Sequence, residues 1–155
     1  GLKLAASYYD GNYMLNENEV EKDNAERNRL TFGGKYENGK LTVRSEYIYG
    51  ETGMGNRKAG EYYLLESDGF YVAAGYWFNY TCKKTGLQHK IRPVARYDFF
   101  REDITEINTN STYYMVGVDW WPMQNLRLLV NYTLKDKVAN DNFGHLFQAQ
   151  LSVKF

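Results

Sequence analysis

In the segment KIRPVARYDFF two arginines stand four residues apart. On a strand, where successive side chains point to opposite faces, Arg92 and Arg96 share one wall. A guanidinium is a planar fork that grips an oxyanion through paired hydrogen bonds, so two on one wall could pass a phosphate-like group between them. The competing expectation is that acidic neighbours, in the manner of Arg92 with Asp98, neutralise each other across a packed interior. Catalytic chemistry is not in view. The chain has no HExxH, GxSxG, P-loop or dinucleotide fingerprint. His89 and His145 are far apart and read as solvated or rim residues. Cys82 is the single cysteine and sits in TCKKTG, which reads as a turn, so an internal disulfide and a paired-cysteine metal motif are both excluded. The acidic residues Glu17, Glu19, Glu21, Asp23 and Glu26 fit no EF-hand spacing and read as a solvated loop. The three Asn-X-Thr/Ser triplets, NYT at 79, NST at 110 and NYT at 131, are what chance supplies in a chain rich in Asn and Thr. The expectation is a protein that is not an enzyme, with no cofactor and no metal.

Whatever holds these residues must fit within 155 residues, enough for a single domain. Fifteen Tyr, eight Phe and three Trp make 17% of the chain aromatic, yet the mean hydropathy is −0.63. No run approaches the roughly 18 apolar residues of a membrane helix. A membrane-spanning strand alternates and averages out as polar, so a barrel remains open. Lys and Arg total 19, as do Asp and Glu, and this balance gives no hint of a nucleic-acid partner. The start, GLKLAASYYD, has neither Met nor a signal pattern, which suggests a mature chain or a piece of a longer one.

Alternation and turn residues predict about eight strands, over residues 2–10, 29–38, 41–50, 69–79, 87–100, 111–121, 126–135 and 145–155. Each is near the length a tilted strand needs to cross a bilayer. The connections alternate: long at 11–28, 51–68, 101–110 and 136–144, and short at the Asn-Gly of YENGKL, at 80–86 and at WPMQN. Long and short ends therefore lie on opposite sides of the sheet, as outer loops and periplasmic turns do in outer-membrane barrels. On the apolar face, Tyr36, Phe78, Trp120 and Phe155 mark the short-turn end. Tyr8, Tyr49, Phe70, Phe99, Tyr114, Tyr132 and Phe147 mark the other. Aliphatic residues such as Leu4, Val43, Val118, Val130 and Leu151 lie between. Two aromatic rows around an aliphatic band form the girdle of a lipid-facing wall, whereas a soluble barrel of the lipocalin kind has no reason to sort them so. The fold class expected is thus all-β, an antiparallel up-and-down transmembrane barrel.

The opposite face is the lumen. There this register places the basic residues Lys3, Lys35, Arg44, Lys90, Arg92, Arg96, Arg127, Lys135 and Lys154, against Glu37, Glu46, Asp98 and Asp119. Basic pore walls select anions, so the zero net charge hides a candidate anion path.

The run YYMVGVDWWPMQNLRLLVNYTLKD, followed by FQAQLSVKF, resembles the carboxy-terminal hairpins of the phosphate-selective porin O and P family, and GFYVAAGYWF resembles an earlier strand of it. The resemblance implies an outer-membrane porin of a Gram-negative bacterium, a channel for passive diffusion of small solutes. It implies as partners the lipid of that membrane, small anionic solutes, the barrel-assembly machinery and a second and third copy of the chain. Phe147, Leu151, Val153 and Phe155 resemble the terminal signal that the assembly machinery reads. Family members have about sixteen strands, so this chain is either the carboxy-terminal half of such a barrel or a small barrel closed from eight, with a structural or adhesion role for its outer loops. The family's selectivity residues fall where no match can be drawn, and none is carried over.

Overall fold

A computed structural model describes residues 1–13, 25–56, 61–106, 109–137 and 144–154. They form one antiparallel sheet of nine strands: β1 (Leu2–Tyr13), β2 (Ala25–Glu37), β3 (Leu41–Asn56), β4 (Glu61–Tyr76), β5 (Phe78–Thr81), β6 (Gln88–Arg101), β7 (Asn110–Met123), β8 (Leu126–Lys137) and β9 (Gly144–Val153). The strands pair in the order β1-β2-β3-β4-β6-β7-β8-β9, with the short β5 continuing the line of β4 beside β6. The sheet is not closed: among the described residues β1 and β9 each have one unpaired edge. The expected all-β antiparallel meander is present, and closure into a barrel is not seen. No helix is long and apolar enough to cross a membrane, which says nothing of strands.

Nine strands replace the eight expected because the predicted strand 69–79 breaks at Trp77. The pairings Gly75 with Val94 and Phe78 with Ile91 put Pro93 opposite Tyr76, immediately before that break. Proline has no amide hydrogen for the ladder, so pairing lapses there and resumes. A second difference lies at 51–68, expected as a long loop. Instead β3 runs on to Asn56 and β4 starts at Glu61, paired from Glu51–Glu66 out to Asn56–Glu61. In water a hairpin needs only its backbone bonds, so Gly53, Glu51 and Glu66 can occupy it although they break the apolar alternation. The 11–28 connection shortens likewise, with β1 reaching Tyr13 and β2 beginning at Ala25. Its acidic residues Glu17, Glu19, Glu21 and Asp23 lie outside the described residues, as does Phe155; Glu26 belongs to β2.

The short connections have the chemistry their sequences suggest. Asn38 accepts the Leu41 amide at 2.9 Å on its side-chain oxygen, and Gly39 takes φ +82°, a region that disfavours a β-carbon. On the other side, Asp103 accepts the amide and hydroxyl of Thr105 at 2.8 and 2.6 Å, and these bonds hold its carboxyl below the usual carboxylate range.

Pairing registers sort the side chains into two faces. Leu4, Val43, Ala74, Ala95, Val116 and Leu151 belong to one, with Tyr8, Tyr36, Phe70, Phe78, Trp120, Tyr132 and Phe147. Much of that face is bare: Leu4 is 77% exposed, Phe147 68%, Leu151 65% and Val116 58%. Hollows of about 720, 430 and 320 Å³ are lined mainly from the other face, by residues such as Tyr71, Arg96, Lys3 and Arg29. The sheet is therefore concave toward its polar side. Among the described residues no second layer covers either face, and the side chain buried most completely is a carboxylate, Asp119.

Candidate functional site

The polar concave face is organised in cross-strand rows. In one of them β1, β2 and β3 place Lys3 opposite Lys35 and Lys35 opposite Arg44. The same row continues through Ala73 of β4 to Arg96 of β6. Like charges directly opposite on a sheet repel, so three adjacent cations oppose the fold locally. Small neighbours, Ala5 and Gly33, leave space in front of them, and together with Lys3, Lys35 and Arg44 they line a hollow of about 430 Å³. Lys35 forms an ion pair with Glu37. Lys3 and Arg44 are exposed at the surface of the hollow. The Asn-Gly hairpin sets the Lys35–Arg44 pairing, since a two-residue turn fixes the register of the strands that leave it.

Arg96 is held differently. Its Nε donates to both carboxylate oxygens of Asp98 at 2.9 and 2.8 Å and its Nη2 to Oδ1 at 2.5 Å, and its guanidinium lies 4.2 Å from the Tyr71 ring centre. Nearer the short turns, Asp119 accepts from two arginines and a tryptophan. Arg92 Nη2 donates to it at 2.7 Å, Arg127 Nε and Nη2 at 2.8 and 3.0 Å, and Trp121 Nε1 at 3.0 Å. Each arginine also faces an indole, Arg92 the ring of Trp77 at 4.6 Å and Arg127 that of Trp121 at 5.6 Å. Asp119 itself is 1% exposed. Two cations on one anion leave the knot with a single positive charge, and the Arg92 Nε is buried without a partner.

Lys3, Lys35, Arg44, Lys90, Arg92, Arg96, Arg127 and Lys135 all belong to the concave face by register, and Glu37, Glu46, Asp98 and Asp119 to the same face. Lys154 follows β9, where its amide donates to the Asn125 carbonyl at 2.9 Å. The forks of Arg92 and Arg96 are not free to face each other, since each grips a carboxylate, Asp119 for Arg92 and Asp98 for Arg96. Two further cations escaped the sequence reading. Arg27 and Arg29 face the concave side; Arg27 precedes the expected strand because β2 begins at Ala25, whereas Arg29 is the first residue of the expected strand and has the parity of Lys35. The aromatic partners Tyr71, Trp77, Tyr113 and Trp121 were equally hidden, as each looks from the sequence like one more ring in an aromatic chain. Of the terminal residues, Phe147, Leu151 and Val153 share the exposed apolar face of β9. Cys82 is free in the turn after β5, its thiol drawn down by hydrogen bonds from Thr85. The described residues hold no cluster of metal-ligating side chains.

A family model described as phosphate-selective porin O and P matches residues 5–155. No curated protein and no solved structure matches.

Proposed function

The chain belongs to the phosphate-selective porin O and P family, and we propose that, as an outer-membrane β-barrel channel for small solutes, it favours anions. The cross-strand row Lys3, Lys35 and Arg44, continued by Arg96, carries this reading. Three adjacent like charges cost stability wherever nothing negative visits them. An anion passing through the hollow would be attracted by all of them, and charges on a partly dehydrated wall act more strongly than in bulk water.

The apolar face supports the membrane half of the proposal. Leu4, Val116, Phe147 and Leu151 would each gain about 1.5–3 kcal/mol on leaving water, and the described residues form no second layer to take them. A lipid phase does so while the concave face keeps water. The unpaired edges of β1 and β9 must be closed in hydrocarbon, against each other or against further strands, since an open edge there leaves backbone groups unpaired.

The test is the reversal potential of the reconstituted protein across a planar bilayer under a salt gradient. A potential of the sign for anion preference is expected. Cation preference would overturn the selectivity, and absence of conductance would overturn the channel.

A further inference from the structure

The concave face also has an apolar shelf, for which a path used only by small hydrated ions has no need. One residue pair further toward the long connections than Glu46 and Asp98, the register sets Ile48, Gly69 and Phe100 side by side. Ile48 is 43% exposed and Phe100 46%. With Tyr71, Tyr113 and Met115 they line the hollow of about 720 Å³, a volume within the usual range of small-molecule sites. Gly69 keeps the shelf low, because a β-carbon there would lie 2.9 Å from the Phe99 carbonyl and 3.1 Å from the Phe100 ring.

The charges around the shelf are unequal. Arg96 and Asp98 neutralise one another. Glu46 is acidic, and Arg29 lies at the rim, its stem 3.6 Å from where a β-carbon on Gly50 would be. Arg29 is exposed, and the row Lys3, Lys35 and Arg44 opens next to the same wall through Tyr71 and Glu46, which line both hollows. An apolar shelf between one basic rim and a basic row suits a solute that is itself divided, with a flat apolar body and an anionic head.

We propose that this hollow binds organic anions with a flat apolar body, the body on Ile48, Phe100 and Met115 and the head toward Arg29 or the basic row. The inference rests on the channel reading and names the solute class that such a channel would retain. Naphthalene-2-sulfonate and methanesulfonate have the same head and differ in the body, and the concentration of each that halves single-channel current through the whole protein reads the difference. Naphthalene-2-sulfonate should block at a concentration at least about tenfold lower, the effect of burying roughly one ring face. The exposed substitutions Ile48→Thr and Phe100→Thr, which keep strand-compatible residues, should each remove most of that ratio while leaving methanesulfonate block unchanged. Equal block by the two probes would overturn the proposal, as would a ratio that survives both substitutions. If the protein conducts nothing, the channel reading fails separately, and equilibrium dialysis of the detergent-solubilised protein with the same two probes decides the site by the same ratio and the same variants.

Discussion

Two regions of the concave face treat positive charge in opposite ways. Around Asp119, two arginines converge on one buried carboxylate, and Trp77 and Trp121 cover their flat faces. Across β1, β2 and β3, Lys3, Lys35 and Arg44 stand opposite one another, with the Lys35–Glu37 pair at one side. In the first region charge serves the fold, as a cross-link between β6, β7 and β8. In the second it opposes the fold and is open to a solute. Counting basic residues along the wall therefore overstates the path, since Arg92 and Arg127 share an anion while Lys3 and Arg44 face the hollow. The knot and the row differ in what a single substitution should do.

The largest effect is expected at the knot. Asp119→Asn removes the charge that two guanidiniums share, and breaking a buried ion pair by deleting one partner costs about 3–5 kcal/mol. Urea unfolding of the protein from lipid vesicles measures it. A loss under about 1 kcal/mol would mean that water, rather than Asp119, satisfies Arg92 and Arg127, and the contrast between the regions would collapse.

How far this contrast was legible in the sequence depends on which physical signal each part leaves. Alternation is written into every strand that has one apolar face, so Val43, Val118, Val130 and Leu151 could be placed on the apolar side from the sequence alone. The wall residues Lys35, Arg44, Arg96 and Asp119 follow from the same parity. Pairing between strands leaves a weaker trace. The Asn-Gly turn fixes Lys35 against Arg44, but the partner of Lys3 depends on a long connection with no turn signature. Arg29 opens the expected strand 29–38 and has the parity of Lys35, so alternation alone places it on the wall, whereas Arg27 lies where β2 continues past the apolar alternation. Ion-pair partners were the least accessible. Asp98 is two residues from Arg96 on the same strand, yet Asp119 reaches Arg92 across one strand pair and Arg127 across another. The break at Trp77 has its cause in Pro93, on a different strand.

The contrast presupposes that one face is wet and the other is not, and a middle-sized effect checks that. Val118 is next in sequence to Asp119 and points to the opposite face, beside Val130. If that face meets hydrocarbon near mid-depth, Val118→Arg or Val130→Arg should cost about 2–4 kcal/mol. Gln150→Arg, across from Leu129 on the concave side, should cost much less. Unfolding the variants from vesicles compares them directly. Equal tolerance of arginine on the two faces would erase the assignment of inside and outside.

The smallest effect on stability, and the sharpest on selectivity, is expected in the row. Arg44 lies opposite Lys35 and is exposed, so its charge contributes repulsion to the folded sheet and little packing. Arg44→Gln keeps a long polar side chain and removes the repulsion, and like-charged pairs directly opposite are worth a few tenths of a kcal/mol. The variant should therefore be as stable as the parent or more stable by less than about 0.5 kcal/mol. Its reversal potential should move toward zero, because one of the charges open to the hollow is gone. Substituting Arg92 by Gln offers the converse: stability should fall through the loss of the Asp119 bond, while the reversal potential should move less, since that charge is already shared. If both variants shift the potential equally, the neutralised arginines act on the solute as strongly as the open ones, and the division of the wall into knot and row has no functional meaning.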